Sequence, residues 1–68
     1  MALSARNQFQ GTVKAIVTGG VMAEVTVDIG NGQEIVSVIT KASAERLGLA
    51  QGTSVTAVIK STEVLLAR

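Results

Sequence analysis

Val21-Met22-Ala23-Glu24-Val25-Thr26-Val27-Asp28-Ile29 is the stretch on which the fold turns. Successive side chains of an extended chain point to opposite faces. Val21, Ala23, Val25, Val27 and Ile29 therefore share one face, and Met22, Glu24, Thr26 and Asp28 share the other. Branching at Cβ, which stiffens χ1 and suits a pleated surface, recurs at Val25, Thr26, Val27 and Ile29. The pattern predicts a strand with one face on a core and one in water.

Upstream, Phe9, Gly11, Val13, Ala15 and Val17 fall on one face of a first strand, opposite Gln10, Thr12, Lys14 and Thr18. Gly19-Gly20 between the two strands suits a hairpin turn. Downstream, Gly30-Asn31-Gly32 makes a second turn. Glu34 to Ile39 then sets Ile35, Ser37 and Ile39 against Val36 and Val38, apolar on both faces. A strand of that kind is covered twice, here by the core and by a neighbouring subunit.

Thr40 to Gly48 breaks the period of two. Thr40 or Ser43 serves as N-cap, good helix formers follow, and Gly48 is a stop, so a short helix of about two turns is expected. Ala50-Gln51-Gly52-Thr53 turns the chain, Val55, Ala57 and Ile59 line a fourth strand, and Val64-Leu65-Leu66 forms a fifth. No Pro interrupts any pairing. The expected fold is all-β: a five-stranded OB-type Greek-key barrel with one short helix between the third and fourth strands, a single domain over residues 1–68.

Composition bears on how such a barrel survives. A chain of 68 residues buries only about 60% of the surface its unfolded form exposes. Disulfides, metals or oligomerisation usually support domains this small. With no Cys and no His, disulfides and thiolate or imidazole metal sites are excluded, which leaves oligomerisation. The hydrophobic share of 47% and mean hydropathy of +0.45 agree, the excess apolar surface being assigned to subunit contacts. Net charge is +1 with no basic run, so neither nucleic acid nor an anionic membrane is called for. With one Phe and no Tyr or Trp, base stacking has almost no provider. No stretch approaches a membrane span and no leader pattern opens the chain, so a cytoplasmic location is expected.

Catalysis finds little to work with. His, Cys, Tyr and Trp are absent, and Glu24 and Asp28 on the outer face of the second strand read as a solvated surface. Glu34, Glu45 and Glu63 are isolated in sequence, unlike a hard-cation cluster. Donors, by contrast, recur: Ser4-Ala5-Arg6-Asn7-Gln8 at the start, Thr40-Lys41-Ala42-Ser43 at the helix start, and Lys60-Ser61-Thr62 after the fourth strand. Hydroxyls, unpaired N–H groups and cations are what an anion requires. The same residues also read as helix caps, a strand-end charge and a terminus, and the spacing alone leaves both open.

Ser4-Ala5-Arg6-Asn7-Gln8 with Gly11-Thr12-Val13, Ile39-Thr40 with Ser43, Leu47-Gly48-Leu49, Gly52, and Val58-Ile59-Lys60-Ser61-Thr62-Glu63-Val64 together resemble the molbindins. These are small cytoplasmic molybdate-binding, or molybdenum-pterin-binding, proteins built from a transport-associated OB domain. The resemblance runs from about Leu3 to Leu66, with Phe9 and Glu63 as mild departures. The same module is also found fused in molybdate importer ATPases and in a molybdate-responsive regulator. Resemblance to the stand-alone members implies a homohexamer, a trimer of dimers, holding molybdate or tungstate between subunits for storage and homeostasis. It implies Ser4, Arg6, Thr40, Ser43, Lys60 and Ser61 as oxyanion contacts, and Gly20, Val21 and Ser37 as a second site. No protein atom is expected to ligate the metal directly, and no organic cofactor is expected, Phe9 being the sole stacking surface for a pterin. The alternative within the same resemblance is an anion-sensing interaction module that regulates a transporter or regulator.

Overall fold

Alternation of β-branched residues does produce the strands, and one interruption of that alternation bends the sheet. The structure is a computed structural model and describes residues 2–68. Its elements in chain order are β1 (Asn7–Thr18), β2 (Met22–Gly30), β3 (Gln33–Thr40), α1 (Lys41–Arg46), β4 (Ser54–Ile59) and a short 3-10 turn, Ser61–Glu63. The four strands form one sheet in the order β3-β2-β1-β4, with every neighbouring pair antiparallel.

β2 lies as its alternation predicts. Ala23, Val25 and Val27 are buried, and Val25 and Val27 join Val13 in the core, with Ile16, Ile29, Ile39, Leu49 and Val55 packed around them. Val21 falls outside the strand, in the preceding turn, and is exposed. That turn closes with the Gly19 N–H donating to the Met22 carbonyl at 2.8 Å. Neither Gly19 nor Gly20 uses a positive φ there.

β1 departs from a single alternating face. The register slips between Val13 and Ala15, where Val13 pairs with Val27 and Ala15 with Thr26. One extra residue, Lys14, is thereby left unpaired, and inside and outside change places along the strand. Val13 and Ile16 consequently face the core, while Ala15 and Val17 are exposed. The bulge also lets one strand serve two partners: Asn7–Thr12 pairs with β4, and Thr12–Thr18 with β2. At this bend β1 comes so close to β2 that a Cβ on Gly11 would stand 2.7 Å from the Asp28 carbonyl oxygen and 2.6 Å from a Val27 methyl. Only glycine allows that approach. The loop before β4 locks the bend, the Val13 N–H donating to the Thr53 carbonyl at 2.9 Å and the Gly52 N–H to the Val13 carbonyl at 2.8 Å.

The helix is placed as expected. The Thr40 hydroxyl caps α1 by accepting from the Ser43 N–H at 3.0 Å. At the other end Gly48, at φ 65°, gives its N–H to the Glu45 carbonyl at 3.0 Å, and the Leu49 N–H bonds the Ala44 carbonyl at 3.1 Å. This paired closure needs a left-handed residue at Gly48. It turns Leu49 back onto the core, and Ala44 is buried beneath the helix.

The barrel expected from sequence is corrected in one respect: the described residues form four strands, with no fifth. Val64-Leu65-Leu66 follows the 3-10 turn as irregular backbone, and Leu65 and Leu66 are each 93% exposed. Hydrophobic residues in series do not make a strand without an edge to pair with, and the turn leads the tail off the sheet. The place of a fifth strand is a cleft of about 370 Å³ between β3 and β4, lined by Ile35, Ser37 and Ile39 on one side and Val55, Ala57 and Ile59 on the other. Val36 and Val38 on the outer face of β3 are each 59% exposed, so within this chain the second apolar face of that strand is uncovered.

Candidate functional site

The antiparallel sheet sorts the donor residues between the two ends of β1. Asn7 at its start pairs with Ile59 at the end of β4, so the next residues outward, Arg6 and Lys60, leave the ladder at the same end. Ser4 precedes Arg6, and Ser61 begins the 3-10 turn directly after Lys60. Four of the sequence-predicted residues, distant in the chain, are thereby gathered at one end of the sheet. All four are exposed. No side chain of the turn caps it, so the Ser61 and Lys60 donors are not committed there.

Thr40 and Ser43 occupy the opposite end. Thr40 pairs with Met22 at the start of β2, beside the turn carrying Gly20 and Val21. The Lys41 N–H donates to the Val21 carbonyl at 2.7 Å and ties α1 to that turn. Gly20, Val21, Thr40, Lys41, Ala42 and Glu45 line one open hollow. Ser37, expected from sequence beside Gly20 and Val21, is set apart from them on the cleft between β3 and β4.

Hydrogen bonding at this end prepares one free donor. The Thr40 hydroxyl donates to Ser43 Oγ at 2.8 Å and Arg46 Nη2 donates to the same oxygen at 3.3 Å. A serine hydroxyl has two acceptor sites and one proton. With both acceptor sites filled, the Ser43 proton is left for a further acceptor. Sequence reasoning had Lys41 only as part of the donor stretch at the helix start, not among the oxyanion contacts, and missed Glu45 beside it. They stand one helical turn apart, a spacing that puts two side chains on one face, and this signal could have found them. Lys41 adds a favourable charge for an anion in the hollow and Glu45 an adverse one.

β1 spans 12 residues, a contour of about 40 Å at an extended rise. The whole molecule measures 35 × 26 × 24 Å. A tetrahedral oxyanion is a few ångströms across, with oxygens that accept hydrogen bonds at roughly 2.7–2.9 Å from charged donors. Within one chain the two donor groups stand at opposite ends of the ladders rather than around a common point. Among the described residues, no cluster of three or more His, Cys, Asp or Glu side chains could hold a cation, and no helix is long and apolar enough to cross a membrane.

Comparison with known proteins gives the family of the chain. The family model described as the TOBE domain matches residues 3–66. Molybdenum-pterin-binding protein 3 of Clostridium pasteurianum is 48% identical over 66 residues, 97% of each chain. A molybdate-binding protein from Sporomusa ovata superposes with a TM-score of 0.92 at 43% identity, covering all of both chains. The cytoplasmic molybdate-binding protein ModG, solved with molybdate bound, superposes with a TM-score of 0.86 at 52% identity over 90% of this chain and 43% of its own. With near-complete coverage in sequence and in fold, the chain belongs to the TOBE-domain family, among the small molybdenum-pterin-binding proteins, or molbindins.

Proposed function

We propose that this chain binds molybdate, and tungstate in the same sites, as a homo-oligomer that stores the oxyanion and buffers its concentration in the cytoplasm. The observation that carries the proposal is the gathering of Ser4, Arg6, Lys60 and Ser61 at one end of β1 and of Thr40, Ser43, Gly20 and Val21 at the other. A complete donor shell arises where the first end of one copy meets the second end of another. The names of the relatives and structural neighbours, which are molybdenum-pterin-binding and molybdate-binding proteins, support molybdate as the ion.

Molybdate at neutral pH is a tetrahedral dianion with acceptor oxygens only. A shell of hydroxyls, backbone N–H groups, one guanidinium and one ammonium matches it group for group. Nothing in the proposed shell has to react: the residues bind and orient, and the ion leaves unchanged. No organic cofactor enters. The hexameric state, a trimer of dimers, is supported by two apolar surfaces that one kind of contact could not cover. One is the outer face carrying Val17, Val36 and Val38; the other is the cleft with the exposed tail. Two distinct interfaces are what an assembly with both two-fold and three-fold contacts requires. Residues 1–68 act as a single domain in this reading.

Native mass spectrometry tests it. The expected result is a multimer that gains several molybdate or tungstate ions, and a monomer that takes up none overturns the proposal. Arg6→Ala and Lys60→Ala each remove a charge-assisted bond worth about 1.5–3 kcal/mol, so each should weaken molybdate binding by roughly tenfold to a hundredfold. Unchanged affinity in both variants removes these residues from the site.

A further inference from the structure

The arm that precedes β1 carries two of the proposed donors, Ser4 and Arg6, yet neither they nor Ala5 between them has a partner in the ladders of β1. Backbone left loose must be ordered when an ion is bound, and that ordering subtracts from affinity. Donors that converge on a small tetrahedral ion tolerate little drift. The arm therefore needs a hold that exists before the ion arrives.

One side chain supplies it. Gln8 Nε2 donates to the Ala5 carbonyl oxygen at 2.8 Å, a good length for an amide donor. Gln8 is itself fixed, since its backbone stands in the β1–β4 ladder opposite Val58, one step inward of the Asn7–Ile59 pair. The chain bends at Ser4, and the bond ties this bend back to the first rungs. The strand opposite, β4, runs on into Lys60 and Ser61. The same rungs thus anchor both pairs of donors, Lys60 and Ser61 through the covalent chain, Ser4 and Arg6 through the Gln8 amide as well. Residue type matters here. An amide N–H donates without carrying charge, whereas a glutamate at neutral pH only accepts and would repel the carbonyl oxygen and an anion alike. Gln8 is exposed and lies outside the core, so the effect of its side chain falls on the arm and not on the fold.

We infer that Gln8 is a positioning residue of the oxyanion site: through its bond to the Ala5 carbonyl it holds Ser4 and Arg6 in their binding arrangement before any ion is present. It touches no ion itself and acts through the arm. The part of Gln8 in affinity rests on the function proposed above; its hold on the arm does not.

Gln8→Met, of similar length and without a donor, tests this in the full-length chain. Gln8→Thr, a good strand former too short to reach Ala5, is the second variant. Circular dichroism and Tm should match those of the unaltered protein, and unfolding of both variants overturns the inference by placing Gln8 in the fold. With no ion added, the heteronuclear NOE of the Ala5 and Arg6 amides should fall in both variants while that of Val13 stays. An unchanged NOE in the arm overturns the inference. In calorimetric titration with sodium molybdate, each variant should bind about threefold to tenfold more weakly. Combined with Arg6→Ala, the loss should be smaller than the product of the single losses, because a donor of the arm is already gone; combined with Lys60→Ala, it should equal that product. Support of the fold alone would weaken both backgrounds by the same factor. Unchanged affinity in Gln8→Met, or equal loss in the two backgrounds, overturns the inference. A lowered NOE in a protein whose affinity Arg6→Ala leaves unchanged keeps the hold on the arm and overturns the proposed site alone.

Discussion

β2 and the C-terminal tail are both rich in aliphatic residues, yet Val25 is buried and Leu65 is almost wholly exposed. The difference is not hydrophobicity. β2 has a partner on each side, β1 and β3, and every second residue finds a wall of neighbours. The tail leaves the last strand through a 3-10 turn and stays off the open edges of its own sheet, with Leu65 and Leu66 in solvent. Burial in a sheet protein therefore follows the pairing of edges, and in this chain the unpaired edges are those of β3 and β4.

The sharpest way to break the comparison is to place the same charge in each region. Val25→Asp puts a carboxylate among Val13, Val27 and Ile39 with nothing to pair it, at a cost of several kcal/mol that a domain this small cannot absorb. Circular dichroism at 25 °C should show an unfolded chain. Leu65→Asp should keep the strand spectrum and lower the sedimenting mass instead. Equal unfolding by both variants would erase the distinction between body and tail.

Gly11→Ala sharpens the account of the body. Its new methyl meets the Asp28 carbonyl and a Val27 methyl where β1 bends over β2, and overpacking of this kind costs about 1–3 kcal/mol. A fall in Tm of at least several degrees is expected by calorimetry, and an unchanged Tm would show that the two strands can separate there. Gly48→Ala asks less. Holding alanine at a left-handed φ costs about 1–2 kcal/mol, to be read as a lower urea midpoint with unchanged m-value.

The smallest effect belongs to the ion pair between Lys14, the extra residue of the β1 bulge, and Glu34 on β3. It straps the sheet across β2. The Glu34 carboxylate raises the Lys14 ammonium above its ordinary value, through the hydrogen bond first and its charge second, with Asp28 adding to it. A raised lysine contributes its stabilisation in full below the ordinary lysine value of about 10.4 and loses it as pH climbs through the folded value. Both groups are exposed, so the contribution is modest. Lys14→Met should lower Tm slightly at low salt and not at all in about 1 M salt, and a difference that survives in salt would show that the strap acts through packing.

Much of the fold was legible because β2, β3 and the helix each carry their instruction locally. Period-two alternation marked the strands, Thr40 marked the start of α1 and Gly48 its stop. Two features were not local. The bulge at Lys14 is set by the loop at Gly52 and Thr53 bonding to Val13, a long-range contact that no alternation in β1 announces, so Ala15 and Val17 read as inward and lie outward. The fifth strand was read from composition at Val64-Leu65-Leu66, and composition says nothing of where the turn before it leads. For the site, residue types and spacing singled out the donors. The grouping of Arg6 with Lys60, and of Gly20 with Thr40 in place of Ser37, follows from antiparallel register, which a single sequence does not print.

The length of β1 has a consequence for measurement. In the function proposed above the oxyanion shell is shared between two copies, so the apparent affinity for the ion should fall as the protein is diluted, as in any binding equilibrium coupled to association.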